Sequence, residues 1–161
     1  MHTTPAMPAT KPAPRRRLRG AVLALCLSIG AWAQAAHSAG EAVEVFKSPY
    51  CGCCTEWVEH LRQNGFTVTT RDVDDVPAAR KKLGMPEQFG SCHTARIGNY
   101  LVEGHVPAAD IRRLLKEKPK AVGLAVPGMP PGSPGMESPR AVPYQTLLVQ
   151  PDGSTRVFAQ H

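Results

Sequence analysis

Two contrasting patterns open the folded part of the chain. Val43 and Val45 alternate with polar neighbours until Pro49, and this period of two predicts a short β-strand. In residues 53–65, apolar side chains instead recur at helical spacing, and the run ends at Gly65. That pattern predicts an amphipathic helix that follows the strand directly and stops at a glycine.

The pattern continues with a second strand and helix, a hairpin and a third helix. β-Branched residues dominate 66–73, whereas 74–86 begins with acidic residues and a proline and ends at a glycine. Residues 93–104 read as a hairpin that turns at Gly98, and 107–118 as an amphipathic helix. This order predicts an α/β domain of the thioredoxin or glutaredoxin type, with a mixed sheet flanked by helices.

The C-terminal part of the chain has a different character. Residues 121–143 are rich in proline and glycine and show no periodicity, which predicts a loop. Residues 144–160 alternate again around Pro151, Asp152 and Gly153, which predicts an additional β-hairpin.

The first 35 residues have the composition of a secretion signal. No acidic residue occurs among them, a cluster of arginines ends at Arg19, and an apolar run follows that is too short to span a bilayer comfortably. Ala33 and Ala35 fit the small-x-small rule for cleavage. The sequence therefore predicts a cleaved signal over 1–35, a single domain over 36–161, a periplasmic location and no stable membrane anchor.

Removal of the signal also removes most of the positive charge. Lys and Arg fall from 19 to 14 against 13 acidic residues, so the net charge falls from +6 to +1. A nearly neutral domain gives no support to nucleic-acid binding. The sequence also lacks a glycine-rich phosphate loop and a serine-histidine-acid arrangement, which argues against nucleotide chemistry and hydrolysis.

The exported part contains four cysteines: Cys51, Cys53, Cys54 and Cys92. An even count in an oxidising compartment suggests disulfides, and the C-x-x-C spacing of Cys51 and Cys54 at a helix start suggests thiol-disulfide chemistry. A bridge between the neighbours Cys53 and Cys54 is disfavoured, because their Cα atoms lie about 3.8 Å apart and unstrained disulfides need about 4.4 Å. The three local thiols therefore cannot all pair with one another.

The residues before the predicted hairpin suggest a metal. Thioredoxin-like folds usually place a cis-proline against the redox motif, but Cys92 and His93 stand there in this sequence. Clustered thiolates with imidazole favour Cu(I) or Zn(II). Because adjacent residues at a helix start point about 100° apart, we expect Cys53 and Cys54 to diverge, which favours several bridged Cu(I) ions over one zinc ion.

Three further residues are candidate ligands: His105, Met129 and Met136. His105 precedes the third helix, and the two methionines carry soft thioethers in the Pro/Gly-rich segment. His93 is either a ligand or a residue with its ring turned outward. His60 is expected to be solvated on the surface of the first helix. Two alternatives stay open: a thiol-disulfide oxidoreductase that uses Cys51 and Cys54, and a domain that binds a single zinc ion.

Four motifs, SPYCGCC, GSCHTA, EGHVPA and GMPPGSPGME, together resemble the exported copper-resistance proteins of the CopG type, long catalogued as a domain of unknown function. The resemblance implies a thioredoxin-like fold without ordinary thioredoxin activity, a periplasmic location and a cysteine-bridged cluster of several copper ions. It implies that Cys51, Cys53, Cys54 and Cys92 are the sulfur ligands, with His105 as an additional ligand. The expected partners are copper ions and other periplasmic copper-handling proteins. Any enzymatic activity would be that of a copper-dependent oxidoreductase.

Overall fold

The computed structural model describes residues 40–161, and within this range seven strands form one sheet. The strands are β1 (Ala42–Lys47), β2 (Thr67–Asp72), β3 (His93–Ile97), β4 (Tyr100–Gly104), β5 (Gly123–Val126), β6 (Gln145–Val149) and β7 (Thr155–Gln160). The helices are α1 (Gly52–Gln63), α2 (Val76–Leu83) and α3 (Ala108–Glu117), and a 3-10 turn spans Glu87–Phe89.

The sheet is mixed, in the order β2-β1-β3-β4-β5-β6-β7. β1 and β2 are parallel and are connected by α1, and β4 and β5 are parallel and are connected by α3. The other neighbouring strands are antiparallel. Since parallel neighbours need a crossover helix, the strand-helix-strand order read from the sequence accounts for the parallel pair of β1 and β2. The predicted thioredoxin-like mixed sheet with an extra C-terminal hairpin is confirmed.

The core is divided between the two faces of the sheet. On one face, Trp57 and Leu61 of α1 and Ile111 of α3 are fully buried against the sheet. On the other face a smaller cluster includes Phe89 and Leu101. Because side chains alternate along a strand, the central strands β4, β5 and β6 contribute to both clusters. This division matters for the candidate site, because residues on both faces of the sheet lie next to it.

One strand was not expected. β5 lies within the segment that the sequence analysis assigned to a loop, so that assignment is wrong for Gly123–Val126. All four residues are buried between β4 and β6, and a strand that is buried on both faces shows no alternation. Gly123 is required there, because a Cβ atom would lie 1.8 Å from the carbonyl oxygen of Leu101. Without side-chain alternation, the glycine and the prolines that follow conceal the strand in the sequence.

The predicted signal over residues 1–35 lies outside the described residues. The extent of the folded domain, 36–161, therefore stays a prediction at its N-terminal side. Among residues 40–161, no helix has the length and apolar character needed to cross a membrane.

Candidate metal centre

Several chain segments meet at one edge of the sheet. His93 at the start of β3 pairs with Lys47 at the end of β1. On the other side of β3, the ends of β4 and β5 are paired through Gly104 and Val126. The segments that leave or enter the sheet at this edge are the CGCC segment (residues 51–54), Cys92, His105 and the covering loop (residues 127–144).

The CGCC segment forms the start of α1. Cys51 is the N-cap residue, and its Sγ accepts a hydrogen bond of 3.3 Å from the backbone N–H of Cys54. Cys51 and Cys54 are joined by a disulfide, whereas Cys53 and Cys92 are free thiols. The Sγ atom of Cys53 lies 3.5 Å from that of Cys51 and 3.9 Å from that of Cys92. The free thiols are therefore neighbours across the gap between α1 and β3.

The four sulfur atoms converge. They lie within 4.8 Å of one another, although Cys53 and Cys54 are adjacent at the start of a helix. The expectation that these two side chains diverge is therefore wrong. The disulfide holds Sγ of Cys54 beside Sγ of Cys51, and Sγ of Cys53 lies close to Cys51 and to Cys92, so all four sulfurs form one group. The convergence removes the geometric argument against a single zinc ion, and the zinc alternative has to be decided by measurement.

Two histidines complete the donor set, and backbone carbonyls fix their tautomers. Nε2 of His93 lies 3.0 Å from the carbonyl oxygen of Gly104, and Nδ1 of His105 lies 2.8 Å from that of Pro134. A carbonyl oxygen only accepts, so each of these nitrogens carries the proton and donates it. The other ring nitrogens, which carry lone pairs, lie 3.6 and 3.5 Å from Sγ of Cys92. Both imidazoles are therefore neutral, and each directs its unprotonated nitrogen toward the sulfur of Cys92.

In the absence of a bound cation, the surroundings of the site favour the uncharged forms of its histidines and of Cys92. Burial lowers the pKa of His93 to about 3, and burial also lowers the pKa of His105. Burial, followed by the effect of Cys53, raises the pKa of the Cys92 thiol to about 11. A neutral imidazole is a ready metal ligand, and a bound cation favours the thiolate form of a cysteine.

His93 was left open from the sequence, and the structure places it inside. Its side chain is fully buried and its ring centroid lies 4.3 Å from that of Trp57. The signal for this orientation is the alternation along β3, since His93 has the same parity as the buried Ala95 and Ile97. A strand position of that parity predicts a ring turned toward α1 rather than toward solvent.

The covering loop packs directly on the CGCC segment. A Cβ atom on Gly135 would lie 2.8 Å from the carbonyl oxygen of Cys53 and 2.7 Å from the backbone nitrogen of Trp57, and the φ angle of Gly135 is +81°. The adjacent Pro134 is the hydrogen-bond partner of His105. Only glycine allows this close approach together with this backbone conformation.

The two candidate methionines lie on the covering loop. Met136 follows Gly135 directly, and its backbone N–H donates to the carbonyl oxygen of Ser133 at 2.8 Å. Met129 lies near the start of the loop and is 37% exposed. The structure thus brings together the four cysteines, His93 and His105, while the ligand role of the two methionines stays a prediction.

His60 is not the solvated residue that the sequence suggested. It is half-buried, and its Nε2 accepts a hydrogen bond of 3.1 Å from the backbone N–H of Ala108. Ala108 is the first residue of α3, whose free N–H groups need acceptors. His60 therefore connects α1 to the start of α3, and burial lowers its pKa.

Two family models match successive parts of the chain. The model described as "Glutaredoxin" matches residues 43–85, and the one described as "Protein of unknown function, DUF411" matches residues 89–136. The first includes the CGCC segment, and the second includes Cys92, His105 and part of the covering loop. No curated protein matches the chain.

Two solved structures are similar over most of the chain. "Copper resistance protein copG- Form 2" is 46% identical with a TM-score of 0.72, and the match covers 76% of this chain and 98% of that one. "Copper resistance protein copG- Form 1" has the same identity and coverage and a TM-score of 0.71. Since the identity extends over nearly the whole of the matched chains, the likeness goes beyond a shared fold. The chain belongs to the family of CopG copper resistance proteins.

Proposed function

We propose that this protein is an exported copper-binding protein of copper resistance that holds several Cu(I) ions. The proposed ligands are Cys51, Cys53, Cys54, Cys92, His105, Met129 and Met136, and the structure adds His93 as a further candidate. The observation that carries the proposal is the convergence of soft donors at one edge of the sheet, four sulfurs and two imidazoles, in a chain of the CopG family. Thiolates and thioethers are soft ligands that favour Cu(I), and imidazole also binds copper.

The arrangement of donors supports more than one ion. Two groups of close ligand atoms share Cys92: one contains the four cysteines and the other contains Cys92, His93 and His105. A thiolate that belongs to two groups can bridge two cuprous ions. Cys92 is thus the proposed bridge between the α1 side and the sheet side of the site.

The disulfide relates copper binding to redox state. Cys51 and Cys54 cannot act as thiolates while they are bridged, so the full donor set requires a two-electron reduction of this bond. In the reverse direction, the Cys51 and Cys54 thiols lose two protons and two electrons as their S–S bond forms. These two electrons are sufficient to reduce two Cu(II) ions to Cu(I). This balance supports a reduction of Cu(II) by the two thiols as part of the proposed function. Repeated Cu(I)/Cu(II) cycling also requires an external dithiol reductant that reopens the Cys51–Cys54 bond and an oxidant that returns Cu(I) to Cu(II).

Export and partners belong to the same proposal. The arginine cluster and short apolar run of residues 1–35 are typical of a secretion signal, which supports a periplasmic location. A site at the edge of the sheet, where a loop covers it, can exchange metal with other periplasmic copper-handling proteins.

One observation favours a thiol-disulfide oxidoreductase as a second candidate. The Cys51–Cys54 disulfide lies at the N-terminus of α1, inside the segment that matches glutaredoxin. However, Cys92 and His93 stand at the start of β3, where a thioredoxin-like fold is expected to present a proline to its peptide substrate. Copper binding is therefore the favoured function.

Elemental analysis of the purified protein tests the proposal. We expect more than one copper per chain after anaerobic reduction and loading with Cu(I), and a lower ratio for Cys53→Ser. Thr55→Ser is the matched control, because Thr55 is exposed on the same turn and serine retains its hydroxyl. A ratio of one or zero in the wild-type protein would contradict the cluster. Stoichiometric zinc after ordinary purification would favour the single-zinc alternative, and insulin reduction that survives Cys53→Ser would favour the oxidoreductase.

A further inference from the structure

A buried ion pair lies behind the metal centre. Arg80 of α2 is 2% exposed and Glu103 of β4 is 0% exposed, and Nε of Arg80 lies 2.9 Å from Oε1 of Glu103. Glu103 has the same strand parity as Leu101, which belongs to the smaller core cluster on the α2 face. His93, in contrast, contacts Trp57 on the α1 face. The ion pair therefore approaches the site from the face opposite the donor atoms.

The pair binds both backbone polar groups of Ser91. The N–H of Ser91 donates to Oε1 of Glu103 at 2.7 Å, and Nη2 of Arg80 donates to the carbonyl oxygen of Ser91. Ser91 directly precedes Cys92, the cysteine that both donor groups share. Fixing the peptide groups on both sides of Ser91 leaves Cys92 little freedom to move away from the CGCC segment.

The same pair is connected to His105 through β4. Glu103 is followed by Gly104, whose φ angle is +71°, and then by His105. A Cβ atom on Gly104 would lie 2.5 Å from the carbonyl oxygen of Val126 and 3.0 Å from Oγ of Ser91. Ser91 thus packs closely on the residue between Glu103 and His105. One buried pair therefore supports both segments that present donors from the sheet.

Stability alone is a weak reason for such a pair. Removing two charges from water costs several kcal/mol per ion, and replacing a buried ion pair by apolar residues of similar volume is often neutral or stabilising. What apolar residues cannot provide is a hydrogen bond to each backbone group of Ser91. Partners of this kind behind metal ligands typically change metal affinity by about 10-fold to 100-fold when they are mutated.

We propose that Arg80 and Glu103 are positioning residues of the metal centre, which hold Ser91 so that Cys92 faces Cys53 and the two imidazoles. Neither residue belongs to the two donor groups that share Cys92. The inference rests on the proposed copper binding, and it adds a pair of residues that act through Ser91 rather than as ligands.

The main test is the double substitution Arg80→Met/Glu103→Leu. It removes both charges together, so no buried charge loses its partner, but it also leaves the N–H and C=O of Ser91 without these hydrogen bonds. We therefore expect the variant to unfold cooperatively in urea at a midpoint somewhat below that of the wild-type protein. Its Cu(I) affinity, measured by competition with a chromophoric Cu(I) chelator, is expected to fall by about 10-fold to 100-fold.

Glu103→Gln keeps an acceptor for Ser91 and Arg80, and we expect a smaller loss of affinity. The control Glu59→Leu/Arg62→Met removes an exposed ion pair of α1 and should leave affinity unchanged.

A second measurement examines the position of Cys92 without metal. 1,3-Dichloroacetone bridges two nearby thiols. The Sγ atoms of Cys53 and Cys92 lie 3.9 Å apart while the Cys51–Cys54 disulfide is intact. In Arg80→Met/Glu103→Leu we expect the ratio of bridged to singly alkylated protein to fall severalfold. Wild-type affinity and an unchanged bridging ratio in this variant would overturn the inference while the copper proposal stands. Failure of the wild-type protein to bind copper would instead overturn the proposed function, and the bridging ratio would still test the positioning role.

Discussion

The two sides of the metal centre are built differently. On the α1 side, Cys51 and Cys54 are joined by a disulfide and Cys53 is a free thiol. On the sheet side, Cys92 and two imidazoles with fixed tautomers already present their donor atoms to one another. The sheet side is therefore ready for metal, whereas the donor capacity of the α1 side depends on its redox state. Under the proposed function, we expect the sheet side to set the affinity for copper and the α1 side to set the number of ions that bind.

Substitution of Cys92 gives the strongest test of this difference between the α1 side and the sheet side, because Cys92 is common to both donor groups. We expect Cys92→Ser to lower Cu(I) affinity by more than about 100-fold, beyond the range typical for partners that only support a ligand. Cys53→Ser, which removes a cysteine of one group only, should cost less. Competition with a Cu(I) chelator measures both variants. Equal losses in the two variants would show that Cys92 is not the shared ligand.

The redox state of the α1 side provides the next test. With Cys51 and Cys54 bridged, the free thiols among residues 40–161 are Cys53 and Cys92, and we expect no more than one Cu(I) per chain. After anaerobic reduction of the disulfide, the ratio should rise above one. Mass spectrometry of the native protein, before and after reduction, gives both numbers. The same copper content in the two states would mean that the disulfide does not limit the site.

The covering loop contacts both sides of the site. Two of its glycines allow the cost of close packing to be measured separately from the cost of backbone strain. Gly135→Ala places a Cβ against Cys53 and Trp57, while Gly128 has a similar φ of +78° and open space around its Cβ position. We expect Gly128→Ala to lower the free energy of unfolding by about 1 kcal/mol through strain. Gly135→Ala should lower it by about 1–3 kcal/mol more through overpacking. Urea unfolding measures both values. Equal costs would mean that the loop yields easily at Gly135.

Copper binding by the same two variants completes this test. Because Pro134 next to Gly135 accepts the hydrogen bond of His105, displacement of the loop should weaken the imidazole orientation. We expect Gly135→Ala to reduce Cu(I) affinity and Gly128→Ala to leave it unchanged. Retention of full affinity by Gly135→Ala would show that His105 is oriented without the loop.

Local patterns in the sequence were sufficient for much of the fold and for the cysteines. Alternation at Val43 and Val45 and helical spacing after Cys53 predicted β1 and α1, because these elements have one buried face. The short range of the CGCC motif also placed Cys51 at the start of the helix, where it is the N-cap. The predicted thioredoxin-like arrangement already placed Cys92 opposite the CGCC segment, and the family resemblance, confirmed by the CopG structures, implied that it is a sulfur ligand.

Features that depend on contacts between distant elements could not be read in this way. β5 is buried on both faces and has no alternation, so its pattern was indistinguishable from a loop. Arg80 and Glu103 are separated along the chain, and charged residues are usually solvated, so nothing local indicated a buried pair. His60 likewise became a cap for α3 only through the packing of α1 against it.

The methionines of the covering loop give the smallest expected effect and test whether the loop only orients His105 or also supplies ligands. Met136→Leu and Met129→Leu are nearly volume-conserving, so each should cost less than about 1.5 kcal/mol of folding stability. Because thioethers are weak donors beside thiolates, we expect each substitution to lower Cu(I) affinity by less than about 10-fold, below the usual effect of supporting partners. Met136 is adjacent to Gly135, which packs on Cys53, whereas Met129 is partly exposed, so the loss should be larger for Met136→Leu. Unchanged affinity and an unchanged Cu(I)–thiolate absorption in both variants would remove the methionines from the ligand set and leave the loop with the orienting role alone.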